Sequence, residues 1–285
     1  MPKAQSSLPV HQLADPNTSI VVRKIAHKNP YDFTKKHRHN YFEIIFFKRG
    51  GGSQLIDFVE YPVKEYGCYI IHPNQVHLLK RAQESCGHLI QFKAEALTAP
   101  GLSLLLKQCL WQDLGAIVFE EKQEVMEQLI QYLHLIDRQA TSSNPLAKQA
   151  AHNLLQAFLF ELLMHQSLLE VSDTADQEFA TFSRLIETNY KTEHTVKFYL
   201  AVGCISEKKL GQLTKQHLGL SPLQVIHARV LLEAKRLLTF GEQSHKEIAF
   251  DLGFDSPASF SAFIKKKTGK TASELQTEVN EIHTS

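Results

Sequence analysis

Residues 233–269 read EAKRLLTFGEQSHKEIAFDLGFDSPASFSAFIKKKTG, and the punctuation inside them decides the fold. Ser244-His245-Lys246-Glu247 has the form of a capping box: the serine hydroxyl meets the Glu247 amide while the carboxylate reaches back. The short helix it opens, HKEIAFDL, stops at Gly253. Ser256-Pro257 then sets an N-cap hydroxyl before a proline at the first helical position, starting a second helix with Phe260, Phe263 and Ile264 inward. A short helix, a turn containing glycine and a second helix make a helix-turn-helix unit.

The pattern repeats upstream. TVKFYLAVG (195–203) and SEKKLGQLTKQHLG (206–219) form a similar pair, with Leu210 and Leu213 inward. Between the two units lies SPLQVIHARVLLEAKRLLTF (221–240), a long helix with Ile226, Val230, Ala234 and Leu238 on one stripe. Paired short helices are common, but two such units joined by one long helix are far more specific. Residues 178–277 resemble the DNA-binding domain of AraC/XylS-type bacterial transcription regulators. The resemblance is carried by AKRLL on the long helix, the IA…LGF run, the serine-led helix with Phe260 and Phe263, and the closing Thr268-Gly269.

It implies double-stranded promoter DNA as a partner, activation as the usual output, a homodimer, RNA polymerase as a further partner and a small-molecule effector. A recognition helix reads base edges near its N-terminal half while basic groups hold phosphates. The residues expected at the DNA are Ser206, Glu207, Lys208, Lys209, Gln212, Lys215 and Gln216 in the first unit, and Ser256, Ser259, Ser261, Lys265, Lys266 and Lys267 in the second. Gln212 and Ala262 stand where the family often places arginine, and TASELQ lacks the usual Thr-Pro, so the second unit is expected to act mainly through the DNA backbone.

Upstream of 100 the signals are those of strands. SIVVRKI, YFEIIFF, GSQLIDFVEYPV, CYIIHP and HLIQFKA are separated by turn signals, which suggests a small barrel or sandwich. Beyond Pro100 the period becomes helical. VFEEKQEVMEQLIQYLHLIDRQ (118–139) aligns Val125, Leu129, Leu133 and Ile136, and LAKQAAHNLLQAFLFELLMHQSLL (146–169) is apolar on more than one side. Joined at TSSNP, the two suit a helical hairpin that either covers the barrel or meets a second subunit. The expected plan is a two-domain α+β chain: a flexible arm (1–19), a cupin-like β-barrel effector domain (20–99), a helical packing or dimerisation region (100–170), a polar linker (171–177) and an all-α tandem helix-turn-helix domain (178–285).

HRHNYFEIIFFKRG (37–50) holds the other question. In a regular strand His37, His39, Tyr41, Glu43 and Phe47 share one face. The spacing H-x-H-x-x-x-E with Gly50 resembles the first motif of the cupin barrel, and Gly67…HPNQVH resembles the second, with His72 and Asn74 replacing its usual proline and glycine. The resemblance places a metal quartet on His37, His39, Glu43 and His77, of the kind that suits a divalent transition metal. Three readings stand: a metal-free effector pocket lined by His37, His39, Tyr41, Glu43, Phe47, Gln54 and His77; a metal site, as in a cupin enzyme or metal sensor fused to a DNA-binding module; or surface histidines at a strand entrance. The pocket is preferred, with no cofactor and no enzymatic activity.

Composition agrees with a globular protein: 43% hydrophobic, 21% charged and a formal net charge of +1, with no global bias toward nucleic acid or membrane. Cys68, Cys86, Cys109 and Cys204 form no C-x-x-C pair and suit a reducing cytoplasm. LLQAFLFELLM (154–164) is interrupted by Gln156 and Glu161, well short of the roughly 20 apolar residues of a spanning helix. KRGGG lacks the spacing of a phosphate-binding loop.

Overall fold

In a computed structural model, residues 10–13, 18–26, 36–99, 102, 106, 116–118, 123–165 and 174–282 are described. They fall in two compact units, Pro9–Glu170 and Val171–Ser285.

The first unit is a double sheet backed by a helical hairpin. Its strands are β1 (Val10–His11), β2 (Ile20–Ile25), β3 (Arg38–His39), β4 (Phe42–Arg49), β5 (Gly52–Ile56), β6 (Val59–Pro62), β7 (Gly67–Ile71), β8 (His77–Arg81), β9 (Cys86–Phe92) and β10 (Ala116–Val118). Five form an antiparallel sheet in the order β10-β7-β4-β9-β2, and three form a second in the order β6-β5-β8. The short β1 runs parallel to β3. Reciprocal backbone hydrogen bonds of 3.2 and 3.0 Å tie His37 to His77 just before β3.

Strand β4 shows why the residues alternate. Phe42, Ile44 and Phe46 point to one face, where they pack with Met126, Leu129, Leu133 and Ile136 of α1 (Gln123–Ala140) and with Leu155, Phe158, Leu159 and Leu162 of α2 (Pro145–Met164). Ile45 and Phe47 point to the other, against Ile56 and Leu79 of the smaller sheet and Val63 just beyond β6. A strand covered on both faces needs a continuous apolar run, which FEIIFF supplies except at Glu43. The outcome is a cupin-like double-sheet jelly roll. The α1–α2 hairpin turns at Asn144, whose side chain accepts from Leu146 N at 2.9 Å, and Pro145 opens α2.

Several boundaries differ from expectation. Within the stretch expected as a flexible arm, Val10–His11 forms β1 and Leu13 is buried, because the segment pairs with the exposed edge of Arg38–His39. GSQLIDFVEYPV is two strands, bent at Asp57 with a positive φ of 50°. HLLKR is strand β8. Ala116–Val118, inside the region expected to be helical, completes the larger sheet beside β7, so the helix expected from 118 begins at Gln123. A helix also begins at Thr174, inside the expected linker, since that stretch holds no glycine or proline to stop one. Residues 166–170 and 171–173 lie outside the described residues.

The second unit is all helix: α3 (Thr174–Asn189), α4 (Val196–Gly203), α5 (Glu207–Leu218), α6 (Pro222–Phe240), α7 (His245–Asp251), α8 (Pro257–Thr268) and α9 (Ala272–Ile282). Capping boxes open α6, α7 and α8 at Ser221, Ser244 and Ser256. The Ile226, Val230, Ala234 and Leu238 stripe of α6 is fully buried. Burying each of the larger side chains contributes roughly 1.5–3 kcal/mol. Gly253 closes the turn between α7 and α8 with φ +71°. Helix α4 is less well secured: Thr195 makes no side-chain cap, and Cys204 takes the left-handed position usual for glycine.

Candidate effector pocket and nucleic-acid interface

Strand parity brings His39 and Glu43 inward, and the loop after β7 delivers His77 to meet them. That loop is held by a polar knot: Gln75 Nε2 donates to Asp57 Oδ2 at 2.8 Å, His72 N to Gln75 Oε1 at 2.7 Å, and Val76 N to Asp57 Oδ1 at 3.2 Å. Asn74, where the cupin motif has glycine, sits at φ +67° and donates its backbone amide to His39 O at 2.8 Å. Asparagine tolerates the left-handed region that would otherwise call for glycine, so the replacement preserves the turn.

His37, His39, Tyr41, Glu43, Phe47, Gln54 and His77 are all buried, none more than 2% exposed, which overturns the reading of His37 and His39 as surface groups. One imidazole or carboxylate atom from each of His39, Glu43 and His77 lies within 4.8 Å of the others. His37 stands beside this triad. Its ring packs against His77 with centroids 4.1 Å apart and against His11 at 4.6 Å. Phe47 belongs to the apolar layer between the sheets, in edge contact with Tyr69.

Each member of the triad is fixed from behind. His39 Nδ1 donates to Tyr41 O at 2.7 Å, so in the neutral ring Nε2 keeps its lone pair. The Gln54 side-chain amide lies 3.2 Å from His77 Nδ1. The atom facing the ring is Gln54 Nε2, which donates to Nδ1 and leaves the proton of the neutral ring on Nε2. Turning the amide over would bring Oε1 to Nδ1–H and free the Nε2 lone pair. Gln91 Nε2 donates to Glu43 Oε2 at 2.6 Å and lies 3.3 Å from the Tyr41 hydroxyl. His77 Nε2 is then 4.0 Å from Glu43 Oε1. Burial lowers His39 to about 3, with the Tyr41 carbonyl pulling the other way. Burial, then His37, His39 and His11, holds His77 well below the ordinary histidine range. Burial raises Glu43 to about 7, opposed by the Gln91 hydrogen bond. Both imidazoles are therefore neutral at neutral pH.

His39 Nε2 and His77 Nε2 are buried and have no hydrogen-bond partner among the described residues. Each such atom costs about 1–3 kcal/mol until something meets it. An open cleft of about 390 Å³ beside α1, lined in part by Lys48, Tyr66, His88 and His134, contains none of these residues. Sequence reasoning missed Gln91, His11 and the Asp57–Gln75 knot. Gln91 sits directly opposite Glu43 on β9, a pairing that only the register reveals.

In the second unit the inward residues Leu210, Leu213, Phe260 and Ile264 are buried, leaving one exposed face on α5 and one on α8. Lys208, Gln212, Lys215 and Gln216 are exposed on α5, and Ala258, Ser259, Ser261, Ala262, Lys265 and Lys266 on α8. Several already have work within the fold. Ser206 caps α5 by accepting from Lys209 N at 3.3 Å. Lys209 Nζ lies 3.7 Å from Glu178, and Lys215 Nζ donates to Gly219 O at 3.0 Å. Ser256 caps α8, and Ser259 Oγ donates to Ser256 O at 2.7 Å while accepting from Ser256 N at 3.2 Å. Lys265, Lys266 and Lys267 occupy the last turn of α8, where positive charge also suits the helix dipole. Lys267 is half-buried, and after burial its charge is the next cause that lowers His227 to about 4.

Residues 19–155 match the family model described as the AraC-like ligand binding domain, and residues 200–278 match one described as a helix-turn-helix domain. The HTH-type transcriptional activator RhaS of Salmonella schwarzengrund is 24% identical over 235 residues, covering 81% of this chain and 84% of that protein. RhaS of Salmonella typhimurium is 23% identical over the same length. Among solved structures, ToxT from Vibrio cholerae covers 91% of this chain and 98% of its own, at 13% identity and a TM-score of 0.45. The xylose-binding transcription activator xylR covers 46% of this chain and 39% of its own, at 21% identity and a TM-score of 0.32. Among the described residues no helix is long and apolar enough to cross a membrane.

Proposed function

The chain belongs to the AraC family of transcription regulators, and on that premise we propose a sequence-specific DNA-binding activator switched by a small molecule taken up between the sheets of the first unit. The observation that carries the reading is the tandem of serine-capped helix-turn-helix units joined by the buried α6, each with one exposed polar face. Lys208, Gln212 and Gln216 on α5 are exposed and make no side-chain hydrogen bond or ion pair among the described residues, so we assign base readout chiefly to that helix. On α8 the exposed Ala258 and Ala262 are too short for hydrogen-bonded readout, and Lys265 and Lys266 act on phosphates.

The effector acts by binding two arrangements of the chain unequally, and it shifts their populations only by that difference. A coupling of about 1–3 kcal/mol is ordinary for such a switch. We place the protein in the cytoplasm, where promoter DNA and RNA polymerase are, and assign homodimerisation to the α1–α2 hairpin, whose Leu146, Phe160 and Met164 are exposed. The first unit is read as a sensor and not an enzyme because its output lies in the DNA-binding unit.

The test is fluorescence anisotropy of the full chain on a duplex from upstream of its own gene, across a salt series. Combined replacement Lys208→Ala, Lys265→Ala and Lys266→Ala is expected to weaken binding and to reduce the salt slope by about 0.9 for each phosphate left without its lysine. Unchanged affinity and slope would place the recognition surface elsewhere.

A further inference from the structure

We propose that the first unit carries a site for one divalent transition-metal ion, held by His39 Nε2, His77 Nε2 and a Glu43 carboxylate oxygen, with open positions that receive the effector. The proposal deepens the effector-pocket reading by naming what occupies the pocket. Its test reads metal on the protein and involves no DNA, so either reading can fail alone.

Three observations converge on it. The ligand atoms come from β3, β4 and the start of β8, yet lie within 4.8 Å of one another. Around one tetrahedral ion such atoms lie roughly 3.3 Å apart, so closure needs at most about an ångström and a half of movement between any two of them. The far side of each ligand is already occupied: Tyr41 O holds His39 Nδ1 at 2.7 Å, the Gln54 amide faces His77 Nδ1 at 3.2 Å, and Gln91 holds Glu43 Oε2 at 2.6 Å. Metal sites use this outer layer to aim their ligands. His39, donating from Nδ1, presents Nε2, and His77 does the same once the Gln54 amide turns Oε1 toward its Nδ1–H. Both Nε2 atoms are buried without a partner among the described residues, on rings that are 0% and 1% exposed.

The chemistry of the set selects the ion. Two imidazoles and one carboxylate suit Zn, Fe, Ni or Mn, whereas calcium and magnesium require mostly oxygen. Three protein ligands leave at least one position open, so an effector bearing an oxygen or nitrogen donor binds the ion directly. His37 stays outside the set and packs on the His77 ring, and His11 of β1 packs on His37 in turn. The departure from the four-ligand cupin pattern is thus a third histidine that supports the site instead of ligating.

The experiment uses the full chain, purified without a metal-affinity tag, stripped with chelator, and titrated with Zn²⁺, Co²⁺, Ni²⁺ and Mn²⁺ by calorimetry, with native mass spectrometry for stoichiometry. The expected result is one ion per chain for at least one of these metals, lost in His39→Ala and weakened at least tenfold in Glu43→Gln. Glu43→Gln keeps the side-chain volume and can still accept from Gln91, so it tests the site even if His39→Ala fails to fold. No stoichiometric binding by the wild-type chain overturns the proposal. So does unchanged binding by a folded Glu43→Gln variant, which would assign the ion to cysteines or surface histidines.

Discussion

Gln91 and Glu43 face each other across the β4–β9 ladder, and the Gln91 amide donates to the carboxyl at 2.6 Å. No other side-chain donor to that buried group is seen among the described residues, so Gln91 sets which way the carboxyl points. Gln91→Met conserves length and burial but removes the donor. Its expected effect is a loss of 10–100-fold in Zn²⁺ affinity, the range for outer-layer partners of metal ligands, with the stoichiometry unchanged. Calorimetry beside a thermal melt separates this from general damage. A lowered Tm at unchanged affinity would reduce Gln91 to a packing role.

Two glycines in the helical unit make opposite predictions. A Cβ on Gly253 would lie 2.1 Å from the Lys191 carbonyl oxygen, and the residue has φ +71°. Gly253→Ala therefore combines backbone strain with a backbone clash and is expected to destabilise by more than about 2 kcal/mol. At Gly203 the same atom meets only Ile205 Cγ2 and Leu185 Cδ1, both at 3.6 Å. Gly203→Ala is expected to stabilise by about 0.5–1 kcal/mol, because alanine loses less conformational entropy on entering the helix. Denaturant midpoints of the two variants settle both signs.

These contrasts mark how far the sequence could be read. The starts of α6, α7 and α8 were legible because Ser221, Ser244 and Ser256 act on amides three residues away. Strand parity was legible for the same reason: one period of two puts Glu43 with Ile45 and Phe47, and Phe42 with Ile44 and Phe46. What stayed hidden depends on distant pairing. Ala116–Val118 is a strand because β7 offers it an edge, and Val10–His11 because Arg38–His39 does. Gln91 meets Glu43 across 48 residues, and nothing near either one announces the register. The cupin-like spacing led to four ligands, but His37 uses its backbone to bridge His77, packs its ring on His77 at a tilt and stacks on His11.

Ser259 separates a structural role from a readout role. Its hydroxyl donates to Ser256 O at 2.7 Å and accepts from Ser256 N at 3.2 Å, which commits it to the start of α8. Ser259→Ala is expected to cost about 0.5–1 kcal/mol of stability and to leave the preferred DNA sequence as it is. Selection from a randomised duplex pool by wild type and variant measures the preference. An altered base at one position would show that the hydroxyl leaves its cap to read DNA.

The last prediction concerns pH and the buried ion network of α6. Arg229 lies 2.9 Å from both Glu187 and Glu233, with its guanidinium 3.7 Å over the Tyr190 ring, and Arg236 is 3.5 Å from Glu233. Burial alone raises the Glu233 carboxyl, but Arg229 and Arg236 outweigh it and hold the group below its ordinary 4.5. A depressed carboxylate contributes stability that is present above the unfolded value and lost as pH falls through the folded one. The helical unit is therefore expected to lose stability on acidification below about pH 4.5, and Glu233→Gln should flatten that dependence while lowering stability at pH 7. Removing the cation is harsher. Arg229→Met leaves the largely buried Glu187 without its partner and Glu233 with Arg236 alone, and is expected to cost about 3–5 kcal/mol. Urea unfolding of wild type and both variants from pH 3 to pH 7 reads all three effects. An Arg229→Met variant as stable as wild type would mean that the network holds nothing that packing alone does not.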